Sequence, residues 1–155
     1  MPVIRPEQQQ VEVIPYFDPD NPNYERWLSK PAGLTQFGVF IHVLQPGTRS
    51  SINHWHSDED ELVYVLEGEV TAIEGDVQSI LKAGDAVAFK ANVPVAHSIW
   101  NQSANTVKCL IVGTRARTDR VTYPKHDRIL HCDRRSESNV WTDLNGEPAS
   151  DPYSS

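Results

Sequence analysis

Between Gln36 and Gly113 the chain is written as short apolar or alternating runs, each closed by Gly, Asn or Asp: QFGVFIHVLQPG, SSINHWH, ELVYVLEG, EVTAIEGD, VQSILKAGD, AVAFKAN, AHSIWNQSAN and TVKCLIVG. Alternation of this kind places successive side chains on opposite faces of a strand, and runs this short leave no room for ordinary helices. That makes eight strand candidates in under eighty residues, with hairpin-length links at Glu74-Gly75-Asp76 and Lys82-Ala83-Gly84-Asp85. Strands so short and so closely spaced predict an all-β barrel or sandwich. No amphipathic helical period and no solenoid repeat competes with that reading.

The flanks are written differently. Residues 1–35 carry six of the eleven prolines, and each Pro removes a backbone donor and restricts the residue before it. An irregular N-terminal arm is expected there, with a short strand at Val11–Ile14 and one helical turn near Tyr24–Leu28. Residues 114–155 are polar and form a C-terminal extension, with short strands at Val121–Tyr123, Ile129–Cys132 and Val140–Thr142, a turn at Asn145-Gly146 and a frayed last ten residues. At 155 residues the chain is one domain by size, divided as arm 1–35, barrel 36–113 and extension 114–155.

Fourteen Lys/Arg against twenty-one Asp/Glu give a net charge of −7, which argues against nucleic acid or an anionic membrane as a partner. No apolar run approaches the roughly 18–20 residues of a membrane span, and MPVIRPEQQQ lacks the layout of a signal peptide, so a cytoplasmic location is expected. Cys109 and Cys132 match neither a disulfide framework nor a CxxC motif.

The chemistry is concentrated in SSINHWHSDEDELVYVLEG. His54 and His56 are two apart, so on a strand both imidazoles leave the same face with Cα atoms about 6.6 Å apart. Glu61 follows across the polar SDED turn, and His97 in AHSIWN offers a third imidazole. Three neutral imidazoles and one carboxylate suit one divalent transition metal and leave coordination positions open for a small-molecule substrate. His42, in VFIHVL, is a candidate acid or base if it faces the barrel. Alternation leaves open whether Phe40, His42 and Leu44 or Ile41 and Val43 point inward. Cys109 alternates against Lys108 and is expected inside, whereas Trp55, Tyr64 and Trp100 are expected outside.

These residues carry a resemblance. Pro46-Gly47, HWHSDEDE (54–61) and Gly68 resemble the first cupin motif, G-x5-H-x-H-x3,4-E-x6-G, with six residues rather than five between Gly47 and His54. GDAVAFKANVPVAHSIWN (84–101) resembles the second, G-x5-P-x-G-x2-H-x3-N. Lys90 and Asn92 stand where Pro and Gly are usual, and two extra residues precede His97. The tail, VGTRARTDRVTYPKHD and NGEP, is similar to small single-domain bacterial cupins.

The resemblance implies a double-stranded β-helix jelly roll, often a homodimer, with Fe, Mn, Zn or Ni held by His54, His56, Glu61 and His97. It implies a metal-dependent enzyme acting on a small oxygenated metabolite, either a dioxygenase or an isomerase or lyase, with a small-molecule-binding or sensor cupin as the alternative. Dimethylsulfoniopropionate-lyase cupins have similar ligands, but the Tyr they carry two residues after the ligand Glu is Val63 here.

Overall fold

A computed structural model describes residues 1–154. Each of the eight runs is a strand: β3 (Phe37–Leu44), β4 (Trp55–His56), β5 (Glu61–Glu67), β6 (Glu69–Glu74), β7 (Val77–Lys82), β8 (Ala86–Phe89), β9 (His97–Trp100) and β10 (Val107–Thr114). They are preceded by β1 (Gln10–Ile14) and β2 (Asn23–Trp27) and followed by β11 (Thr118–Tyr123), β12 (Arg128–Asp133) and β13 (Ser138–Thr142). The only helical segments among the described residues are single 3-10 turns at Pro6–Gln8 and Pro124–His126. No helix is long and apolar enough to cross a membrane.

The strands form three antiparallel sheets, ordered β1-β2-β3-β10-β5-β8, β13-β12-β11-β4 and β7-β6-β9. Alternation decides what each strand buries. On β5, Val63 and Val65 are fully buried while Leu62, Tyr64 and Leu66 face out, and on β10 the inward set is Val107, Cys109 and Ile111. Cys109 therefore points inward as its alternation predicts. These side chains meet Leu44, Val70, Phe89 and Ile99 in one core, where each large apolar side chain contributes about 1.5–3 kcal/mol. Gly68 makes the turn between β5 and β6 at φ +88°, and a Cβ there would lie 2.8 Å from Val107 Cγ2, so only glycine fits.

Two buried asparagines lock the loops that carry the site. Asn101 Nδ2 donates to the carbonyls of Leu44 (3.0 Å) and Asn105 (2.8 Å), and its own carbonyl accepts from Gly47 N (2.8 Å). Asn23 Oδ1 accepts from Gln45 N (2.9 Å) and Thr48 Oγ1 (2.7 Å), and its Nδ2 donates to Arg49 O (3.0 Å). The loop leading to His54 is thus held from β2 on one side and from β9 on the other.

Two local expectations give way. The helical turn expected near Tyr24–Leu28 is strand, because β2 pairs with the exposed edge of β3 (Tyr24↔Val43, Glu25↔His42, Trp27↔Phe40); a pairing partner overrides local preference. The chain end does not fray through Ser154. Tyr153 packs against Tyr16 (ring centroids 4.7 Å) and accepts the Ile52 N–H at 3.1 Å, while Ser155 lies outside the described residues. The three strands expected in the extension are present as β11, β12 and β13.

Candidate metal centre

His54, just before β4, is placed by an isolated bridge to His97 at the start of β9, with His97 N donating to His54 O (2.8 Å) and His54 N to His97 O (3.2 Å). His56 is positioned by pairing of β4 with β11, and Glu61 opens β5. The side-chain ligand atoms of His54, His56 and Glu61 all lie within 4.8 Å of one another. Two ligands each about 2.0–2.2 Å from a shared ion sit at most about 4.4 Å apart, so this set needs little closure to share one. His97 stands beside it, its ring 4.9 Å from that of His54 and 6.3 Å from that of His56.

In all three histidines one nitrogen is tied back to the protein and the other is free. His54 Nδ1 donates to Ile52 O (2.8 Å). His56 Nδ1 donates to Asp119 Oδ2 (2.6 Å). His97 bonds the Val95 backbone, and its ring lies flat on Phe89 at 3.8 Å. His97 Nε2 is buried with no hydrogen-bond partner, a condition that costs about 1–3 kcal/mol unless something else binds the atom. Imidazoles fixed through one nitrogen with the other left free, two of them gathered with the Glu61 carboxylate, have the donor chemistry of a divalent-cation site.

Asp119 was not among the residues the sequence singles out. It is 3% exposed on β11, and its second oxygen accepts from Asp58 N (3.0 Å) and Ser57 Oγ (3.2 Å). Its own burial would raise its pKa, but the His56 hydrogen bond and charge win and hold the carboxyl low. Burial likewise works to lower His56, and Asp119 reverses it, leaving that imidazole raised. Burial, then the neighbouring imidazoles, lowers His54 to about 4 and His97 to about 3, so both are neutral at pH 7. Burial pushes Glu61 up.

A cavity of about 150 Å³ adjoins the cluster, lined by His54 and Glu61 together with His42, Phe40, Glu25 and Ile111. The facing question is answered: Phe40, His42 and Leu44 point inward. His42 is 3% exposed, and its Nε2 has no hydrogen-bond partner. Trp55 and Trp100 are half-buried and Tyr64 is exposed; Trp100 carries the Arg49 guanidinium at 4.3 Å from its ring centroid.

Burial lowers His42 from 6.5 to about 4, which fixes the sign of a pH effect. Between those values the unfolded chain binds a proton the folded chain does not, so stability falls with falling pH, by about 3 kcal/mol at pH 4. Glu25 and Glu61, raised by burial, act in the opposite direction. Thermal unfolding of metal-free protein should therefore show a shallower loss between pH 6.5 and 4 in His42→Leu than in the parent; parallel curves would contradict the burial argument.

A family model described as the cupin domain matches residues 40–113. The chain carries a cupin domain. Its sheets form the cupin double-stranded β-helix, and the first strand of the match carries His42. Among solved structures, a sugar phosphate isomerase from a cupin superfamily, from Silicibacter pomeroyi DSS-3, is 28% identical with a TM-score of 0.85, covering 96% of this chain and 97% of that one. A structure from Acidithiobacillus ferrooxidans ATCC 23270, provisionally named for the same activity, is 29% identical at a TM-score of 0.75, over 84% of this cupin and 81% of that chain. A Thermotoga maritima structure described as a predicted oxalate decarboxylase shares the fold at 23% identity and a TM-score of 0.61, over 72% and 97%. None of the curated proteins matches.

Proposed function

We propose that this cupin is a metal-dependent isomerase of small sugars or sugar phosphates, with one divalent transition metal (Fe, Mn, Zn or Ni) held by His54, His56, Glu61 and His97. The observation that carries the reading is the shared cavity: the carboxylate and imidazole of Glu61 and His54 open onto the same space as a neutral, unpartnered His42. The likeness to a sugar phosphate isomerase along nearly the whole of both chains supports the substrate class.

The cation supplies Lewis acidity, which lowers the cost of negative charge on a substrate carbonyl oxygen. The chain's own residues do the rest. A space of about 150 Å³ admits the carbonyl end of an α-hydroxy aldehyde or ketone and leaves the remainder of a sugar phosphate outside. Phe40, Ile99 and Ile111 supply the apolar part of a wall that also carries Ser50 and Ser51, so polar groups there can hold substrate hydroxyls while the apolar side faces its carbons. The neutral His42 imidazole can give a proton from one nitrogen and take one at the other, the operation needed to exchange a proton between neighbouring oxygens.

The test is interconversion of aldose and ketose phosphates from triose to hexose by protein loaded separately with Fe(II), Mn(II), Zn(II) or Ni(II), with dioxygen followed in parallel. Conversion without oxygen uptake is expected. Substrate-triggered oxygen uptake would move the protein to the dioxygenases, and tight sugar binding without conversion would make it a binding module.

The outer face of β5 presents Leu62, Tyr64 and Leu66, each 38–40% exposed, an apolar row of the kind subunit interfaces cover. We assign it to a homodimer. Sizing chromatography should give twice the chain mass, and Tyr64→Lys should halve it; a monomer before substitution would remove the assignment. Free thiols at Cys109 and Cys132 accord with a cytoplasmic location.

A further inference from the structure

Glu25 lies outside every motif in the sequence, yet the fold delivers it to the reacting space. In the β2–β3 register Glu25 stands directly opposite His42, and directly opposed residues of an antiparallel pair project from the same face with Cβ atoms about 4.5–5.5 Å apart. Both line the cavity that also holds His54 and Glu61. Glu25 and Glu61 are the two carboxylates of that cavity among the described residues, and the ligand cluster uses only Glu61.

The surroundings fix this carboxylate without neutralising it. Trp27 Nε1 donates to Glu25 Oε2 at 3.0 Å, and the indole is itself clamped between Phe40 (centroids 4.6 Å) and the Lys30 ammonium (3.7 Å). That ammonium is paired with Glu12, at 2.5 Å, and acts on Glu25 only as a nearby charge that works against its burial; Glu25 forms no ion pair among the described residues. Partly buried carboxylates are ordinarily paired, and Asp119, by comparison, is fully engaged with His56, Ser57 and Asp58. An oriented carboxylate without an ion pair, facing a small cavity that also holds His42 and His54, has the properties of a general base. Burial raises its pKa, in the direction that strengthens it as a base.

We infer that Glu25 is a catalytic residue of this site: the carboxylate that moves a proton between the two carbons of an α-hydroxy carbonyl substrate. The inference rests on the isomerase reading above. In the first half, the Glu25 carboxylate takes the proton from the hydroxyl-bearing carbon. The C–H pair becomes the carbon–carbon double bond, and the carbonyl π pair moves onto its oxygen. His42 then passes a proton from the former hydroxyl oxygen to the former carbonyl oxygen. In the second half, the pair on the first oxygen becomes the new carbonyl, and Glu25 returns its proton to the neighbouring carbon. Nothing is oxidised or reduced overall; the Glu25 carboxylate ends as it began, and His42 ends as its other tautomer, which the reverse transfer restores.

The experiment is deuterium wash-in from D2O at the carbon next to the carbonyl, followed by NMR alongside turnover, for the parent metal-loaded protein and for Glu25→Gln, with the triose-to-hexose phosphates as probes. Gln keeps an oxygen to accept from Trp27 and removes only the base. The expected result is a fall in kcat of about 100-fold or more, within the usual range for a general base, with wash-in abolished, KM changed by less than about threefold and metal content unchanged. Wash-in at the parent rate in Glu25→Gln would overturn the inference and leave the isomerase reading standing. No wash-in or turnover in the parent with any probe would overturn both. Should Glu25→Gln not fold, Glu25→Asp, which draws the carboxylate back by one methylene, must slow wash-in with metal content intact; parent rates there would overturn the inference.

Discussion

His54→Ala and Glu61→Gln should each strip the purified protein of its metal while leaving the barrel folded. The two side chains belong to the set whose ligand atoms lie within 4.8 Å of one another, and neither carries the core, which rests on Val63, Val65, Leu44 and their neighbours. Losing a ligand removes a bond to the ion outright, so the effect should exceed the roughly 10–100-fold affinity loss typical of outer partners. Elemental analysis should fall from about one ion per chain to a trace, with circular dichroism unchanged. His54→Ala also leaves Ile52 O without its 2.8 Å partner, so a modest stability loss is expected there and not in Glu61→Gln. Unchanged metal content in both variants would place the ion elsewhere.

Asp119→Asn should have the next largest effect, although Asp119 lies outside the His54, His56 and Glu61 set and gathers instead with His56 and Glu59. Its two oxygens accept from three donors: His56 Nδ1, Asp58 N and Ser57 Oγ. An amide offers one oxygen and one NH2, so whichever way it turns, an N–H is set against another donor. If the oxygen stays with Asp58, the His56 ring loses the bond that selects its tautomer and aims Nε2 inward. Metal affinity should drop about 10–100-fold, measured by competition with a chromophoric chelator. The metal-free protein should lose about 1–3 kcal/mol for the orphaned donor. Full affinity in Asp119→Asn would mean that His56 is aimed by its backbone alone.

The residues that could be read from the sequence are those whose geometry is local. Histidines two apart in extended chain leave the same side, a carboxylate follows after a short turn, and the barrel strands announce themselves by alternation. Asp119 and Glu25 could not be found that way, because what gives them meaning lies far along the chain: Asp119 is 63 residues from His56, and Glu25 acquires its role only when β2 pairs with β3. A weaker signal was present in each case. Asp119 alternates with Val121 and Tyr123, and Glu25 with Asn23 and Trp27, so in each a charged residue occupies a stripe that is otherwise buried. A charge on an inward stripe needs a reason. The helical turn expected near Tyr24–Leu28 hid that stripe for Glu25, since it takes the wrong period.

The scatter of the site through the fold also bears on the order of events as the chain folds. His54 reaches its place through the bridge to His97, His56 through β11, and Glu61 through β5 beside β10, so no two of these supports form from neighbouring residues. Non-local strand pairings of this kind are slow to assemble, typically milliseconds to seconds, and the coordinating set is whole only after they are complete. A divalent ion therefore has little to hold on to in the transition state. Its stabilisation should appear almost entirely as slower unfolding, with the refolding rate nearly indifferent to metal concentration: the ion acts as a latch on the finished barrel, with no part in its nucleus.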